Sequence, residues 1–124
     1  MQITLYGTAS TTSIRAMSAL DGILDKAVAS AEARKIDPAV LLGSRLAPDM
    51  FPLIRQIQIA CDFGKGPMAR LAGIENPKFE DVETTFPELK ARIARVLEFV
   101  RSVPEASFAG AEDRDITIQA GPRT

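Results

Sequence analysis

Apolar residues recur along this chain at steps of three and four, in three stretches separated by proline and glycine punctuation. In the first stretch, Ile14, Met17, Leu20, Leu24, Ala27, Val28 and Ala31 fall on one stripe. Arg15, Asp25, Lys26 and Glu32 are mostly turned away from it, and the spacing predicts an amphipathic helix. Its start is expected between Thr8 and Ser13, where hydroxyl side chains can accept from the unpaired N–H groups of a first turn. Asp37-Pro38 then marks a new start, with aspartate as N-cap and proline in the first turn, where its missing N–H costs little. Val40, Leu41 and Leu42 follow, and Gly43 closes a turn or two.

Pro48 is expected to open the second long helix, with Asp49 near the positive end of its dipole. Met50, Ile54, Ile57, Cys61, Gly64, Met68 and Leu71 have the spacing of a bundle seam. Gly64, Gly66 and Pro67 weaken its later half, and a kink is expected between Phe63 and Pro67 because proline lacks the N–H and crowds the carbonyl four residues back. Gly73 ends the helix, and Asn76-Pro77 supports the stop.

The linker from Glu75 to Thr84 is acidic and loop-like. Thr85 with Glu88 predicts a capping box, each side chain reaching the other's backbone N–H, with Pro87 in the first turn. Leu89, Ile93, Val96, Leu97 and Val100 line one face of the third helix, Glu88 can pair with Arg92 across one turn, and Pro104 ends it. The tail from Asp113 to Gln119 alternates polar and apolar, with Ile116 and Ile118 on one side, which predicts a short strand. The expected fold is an all-α bundle of three main helices, a short helical turn and that strand, one domain over residues 1–124.

Composition narrows the chemistry. A chain of 124 residues with 46% hydrophobic and 25% charged residues is ordinary for a globular domain and too apolar for a disordered one. A net charge of −1 offers no electrostatic footprint for nucleic acid or an anionic membrane. Cys61, the single cysteine, excludes an intramolecular disulfide. No apolar run approaches the ~20 residues that span a bilayer, and the first residues lack the basic and apolar regions of a signal peptide. A cytoplasmic location is the expectation.

Several segments together resemble a known bacterial family. Leu24-Asp25-Lys26-Ala27, Lys35-Ile36-Asp37-Pro38, the run from Arg45 to Leu53 (Arg45-Leu46-Ala47-Pro48-Asp49-Met50-Phe51-Pro52-Leu53), Arg55-Gln56 and Arg70-Leu71-Ala72-Gly73 carry the likeness. Glu83-Thr84-Thr85, Glu88-Leu89, Arg92-Ile93 and Phe108-Ala109-Gly110-Ala111-Glu112 extend it over almost the whole chain. The family they resemble is domain of unknown function number nineteen ninety-three, similar in fold to the DinB-like four-helix bundles. The resemblance implies a DinB-like up-down bundle. Members of that family continue further, with a second strand and a fourth helix of aromatic, His-containing sequence. The present sequence stops after Gly121-Pro122-Arg123-Thr124, so that helix is expected to be missing.

DinB-like relatives of known activity are thiol-dependent transferases and isomerases with a divalent metal held by three histidines. This chain has no histidine, and Gln58 and Ile59 stand where such bundles usually place their first ligand. Cys61 and scattered carboxylates would make a poor site, so neither a metal nor another cofactor is expected. Cys61 lies on the apolar seam with no histidine to act as its base, and it reads as a packed small hydrophobe.

One polar constellation remains. Arg55, Gln58, Asp62 and Lys65 are spaced by three, four and three and share a helical face beside the seam, with Arg45 and Asp49 just before it. The plainer reading is a solvated face with an Asp62–Lys65 pair worth a few tenths of a kcal/mol. The sharper reading is a pocket in which Arg55 and Lys65 bind an anionic ligand that Gln58 orients. The leading function is thus a non-metal bundle with a binding or assembly role. The alternative is a small-molecule-binding domain or enzyme using the polar face of the second helix. Apolar stripes without a fourth helix, and a lone strand, also lead to the expectation of a homodimer, with neither nucleic acid nor membrane as partner.

Overall fold

The computed structural model describes residues 2–122. Four α-helices run along the chain: α1 (Leu5–Ala33), α2 (Pro38–Leu42), α3 (Leu53–Ala72) and α4 (Phe86–Ser102). Two short 3-10 turns, Glu105–Phe108 and Ala111–Asp113, follow them. The three long helices pack on one another, and the first 3-10 turn closes one end.

Helix α1 starts earlier than the hydroxyl run suggests. Thr4 is the N-cap and its hydroxyl accepts from the Gly7 N–H at 2.9 Å. The serines that resembled caps are spent elsewhere: Ser10 Oγ donates to the Tyr6 carbonyl at 2.7 Å, and Ser13 Oγ to the Gly64 carbonyl of α3 at 2.6 Å. The extra turn brings in Tyr6, whose hydroxyl donates to the Val103 carbonyl at 3.2 Å and whose ring meets Phe108 edge-on at 5.2 Å. The Asp37 cap forms as expected, its carboxylate accepting from the Ala39 N–H at 2.9 Å.

Helix α3 starts later than expected, at Leu53 rather than Pro48. Pro52 holds an extended backbone (φ −65°, ψ 160°) and disfavours helix at the residue before it, so residues 47–50 form a turn instead. Met50 thereby leaves the seam and is exposed. The helix then runs unbroken through Pro67 and ends at Gly73, whose φ of 69° favours glycine. Helix α4 begins at its predicted cap. Thr85 accepts from the Glu88 N–H at 3.3 Å, while the Glu88 carboxylate takes the N–H of Thr84 rather than that of Thr85.

The core joins Met17 and Leu24 of α1, Ile57, Cys61 and Met68 of α3, and Leu89, Ile93, Val96 and Val100 of α4. A large aliphatic side chain so enclosed contributes about 1.5–3 kcal/mol on leaving water. Gly64 sits where α1, α3 and α4 converge. A Cβ there would lie 3.2 Å from both the Met17 side chain and Val96. The predicted strand does not form: residues 114–119 are irregular, with no adjacent strand to pair with among the described residues, and Ile116 and Ile118 are partly exposed. Arg114 instead ties the tail to the end of α3, donating to the Leu71 carbonyl at 2.5 Å.

Candidate functional site

The polar stripe of α3 is solvated only in part, with the Arg55 and Asp62 side chains more than a third exposed. Gln58 and Lys65 are buried, and the loop between α3 and α4 folds back over Lys65 with Asn76 and Phe79 beside it. What holds that loop is Arg92 of α4, whose side chain is 1% exposed. Its Nη1 donates to the Glu83 carboxylate at 2.7 Å and to the Glu80 carbonyl at 3.1 Å. Its Nη2 lies 3.0 Å from Asp81 and 3.2 Å from Asp62. Arg92 therefore does not pair with Glu88 along its own helix. It joins α3, α4 and four loop residues, Phe79 through its carbonyl, and its Nε is buried without a hydrogen-bond partner among the described residues. Burial works against its charge, but Glu83, Asp81 and Asp62 outweigh that and hold its pKa above the ordinary guanidinium value.

Beside this cluster lies an open cavity of about 460 Å3 between the second half of α3 and the loop. Asp62, Lys65 and Arg70 line it from the helix; Asn76, Lys78, Phe79 and Asp81 line it from the loop. The Lys65 ammonium donates to Asn76 Oδ1 at 3.0 Å and lies 3.8 Å from Asp62. It also stands 5.4 Å from the centre of the Phe79 ring. Arg95 of α4 lies 4.0 Å from the same ring centre. Burial, opposed by Asp62 and reinforced by Arg92 and Arg70, lowers the Lys65 pKa from its usual value.

The six residues singled out in the sequence thus separate. Asp62 and Lys65 share the cavity. Arg55 stands at its edge, pairing at 2.7 Å with Asp81, with both side chains well exposed. Gln58 is buried nearby but does not line the cavity. Arg45 turns away to donate to the Met50 carbonyl at 2.6 Å and lines a small apolar recess with Phe51 and Gln56. Asp49 is exposed in the turn before α3. The loop residues and Arg70 escaped notice because helical spacing says nothing about a segment that folds back over a helix. The one local signal was Gly66 four residues before Arg70.

A larger cavity lies elsewhere, about 710 Å3 between α1, α2 and the start of α4. Its walls are mainly apolar, and its one cation, Lys90, is already paired with Asp25 at 2.6 Å and Asp21 at 3.0 Å. The smaller cavity holds Arg70 and Lys78, which make no ion pair among the described residues, so it is the better candidate.

Among the described residues no three His, Cys, Asp or Glu side chains come together to hold an ion. The carboxylates of Asp62, Asp81 and Glu83 surround a guanidinium instead. Cys61 is buried, and burial pushes its thiol up to about 11, with Arg92 only partly offsetting this. Among the described residues no helix is long and apolar enough to cross a membrane.

The family model described as a domain of unknown function (DUF1993) matches residues 5–124, and the chain belongs to that family. It is similar to the crystal structure of a DinB family member protein from Shewanella denitrificans, with 45% identity and a TM-score of 0.86. That likeness covers 96% of this chain and 67% of the other. No curated protein matches the chain. The fold is therefore the all-α, DinB-like helical bundle. A three-histidine metal site does not fit it, since the chain contains no histidine.

Proposed function

We propose that this DUF1993 protein is a cytoplasmic small-molecule-binding domain whose ligand enters the cavity between α3 and the 74–84 loop. One observation carries this reading: Lys65, with a side chain 6% exposed, lines an open cavity where its polar partners among the described residues are a neutral amide and a carboxylate 3.8 Å away. Placing an ammonium in such a spot is costly unless something compensates it. Binding is favoured over catalysis because Asp62, the acid nearest Lys65, is already engaged by Arg92. The test is a thermal-shift screen of a metabolite library against the wild type and Lys65→Met. Ligands that stabilise the wild type and leave Lys65→Met unmoved support the reading. A library with equal effects on both proteins overturns it.

Assembly is the second reading, and a second copy of this chain is its occupant. It rests on a groove of about 490 Å3 between α1 and α3, walled by Ala9, Ala16, Ala60 and Gly64, with Phe63 beside it 75% exposed. An aromatic knob next to a small-residue groove is a self-complementary pattern that a two-fold pair can use. Light scattering of the wild type and Phe63→Ser decides it: a dimer that dissociates on substitution supports assembly, and a monomeric wild type removes it.

A further inference from the structure

Resting on the ligand-cavity reading, we infer that the ligand carries an anionic group, a carboxylate or a phosphate, seated between Lys65 and Arg70. The two side chains face the same cavity from successive turns of α3. Arg70 is set there by Gly66. A Cβ at Gly66 would lie 2.7 Å from Arg70 Nη1 and 3.3 Å from its Cζ, so the guanidinium lies along the helix in the space that a side chain would fill. Two like charges held side by side repel unless an anion joins them.

Among the described residues no carboxylate bridges the two, since Asp62 lies 3.8 Å from Lys65 but makes no ion pair with Arg70. Asp62 and Asp81 line the cavity, but Asp62 is bound to Arg92, and Asp81 to both Arg92 and Arg55. Among the described residues Arg70 and Lys78 have no carboxylate within ion-pair distance, and Glu75 and Glu80 do not line the cavity although they flank the same loop. The cluster thus leaves Arg70 and Lys78 without an ion pair among the described residues, beside a Lys65 that only Asn76 and the more distant Asp62 engage. A guanidinium and an ammonium together supply the directed, charge-assisted donors that carboxylate and phosphate accept. Phe79, already beside Lys65, offers a flat apolar wall for the rest of such a ligand.

The experiment is an amide NMR titration of the whole chain with four probes: inorganic phosphate, acetate, acetamide and tetramethylammonium chloride. Saturable shifts confined to residues 65–70 and 76–79 are expected with phosphate or acetate, and they should weaken as sodium chloride is added. The tighter of the two identifies the group. Arg70→Gln and Gly66→Ala should each weaken that binding about tenfold, the loss of one charge-assisted contact. Both variants are expected to fold, since Arg70 is exposed and the atoms a Gly66 methyl would meet are the movable end of Arg70. Acetamide or tetramethylammonium binding as tightly as acetate overturns the anionic class while leaving a ligand cavity standing. Anion shifts unchanged in both variants mean an adventitious ion only and overturn it too. So does silence with all four probes, in which case the cavity reading rests on the metabolite screen alone.

Discussion

The Glu83 carboxylate lies 2.7 Å from the Arg92 guanidinium in a place where Glu83 is 9% and Arg92 1% exposed. This pair fastens the last part of a loop without regular structure to α4. It acts together with the Arg55–Asp81 pair and the Lys65 and Arg95 contacts of the Phe79 ring, since the loop buries few apolar residues of its own.

Replacing Arg92 by methionine should therefore destabilise the protein by about 3 kcal/mol, the usual result of leaving a buried carboxylate unpaired. Combining Arg92→Met with Glu83→Leu should recover part of that loss, since the stranded charge goes as well. Urea unfolding of both single variants and the double variant measures the coupling. An Arg92→Met protein within about 0.5 kcal/mol of wild type would show that the clamp contributes nothing.

Arg55 should behave differently although it belongs to the same stripe. Its pair with Asp81 is short but both partners are more than a third exposed, so water and salt screen it. Arg55→Ala is expected to cost less than about 1 kcal/mol, with the difference shrinking at high salt.

The lowered pKa of Lys65 makes a signed prediction about pH. The folded protein releases this proton below the ordinary lysine value of 10.5, so between the two pKa values the unfolded chain binds more protons. Lys65 therefore weakens the fold near neutrality, and stability recovers as pH rises toward 10.5. Lys90 acts in the opposite sense, because hydrogen bonds to Asp25 and Asp21 raise its pKa. Comparing wild type with Lys65→Met cancels that contribution: the stability of the variant relative to wild type should fall as pH climbs. A difference independent of pH would show that Lys65 is not desolvated.

Two glycines two residues apart should respond to alanine with opposite signs. Gly64→Ala crowds Met17 and Val96 in the core, and overpacking of this kind costs about 1–3 kcal/mol, more than the gain in helix propensity of up to ~1 kcal/mol. Gly66→Ala meets only the flexible end of Arg70 and should leave the melting temperature unchanged or higher. Circular dichroism melts of the two variants check the pair directly.

Cys61 should resist thiol reagents in the native state. A thiol pushed from 9.0 to about 11 holds ~100-fold less thiolate at mildly alkaline pH, and burial also denies access. Labelling at about pH 8 is expected to proceed only as fast as the protein opens, and prompt stoichiometric modification without denaturant would contradict the seam position.

Local chemistry was enough to find most of the helices. Asp37-Pro38 and Thr85-Pro87 cap helices in this chain because a capping hydroxyl or carboxylate acts on N–H groups two or three residues away, within reach of the sequence itself. The three- and four-residue spacing of Ile57, Cys61, Gly64 and Met68 likewise sets a buried face whatever packs on it, and the absence of histidine settles the three-histidine question before any fold is known. Choices among equivalent local signals were different. Thr4 and the Thr8–Ser13 run are all plausible caps, and what separates them is that Ser13 finds the Gly64 carbonyl across the bundle. The strand expected at the tail had the right alternation but finds no adjacent strand among the described residues, and pairing is a property of two segments. Arg92 shows the limit most clearly. In sequence it stands four residues after Glu88, an ordinary surface pair, yet its charge is satisfied by residues nine to thirty positions away. Only the return of the loop over α3 brings the carboxylates to Arg92 and makes Lys65 part of a cavity wall. Long-range electrostatics depends on distances in space, and the order of residues leaves those distances open.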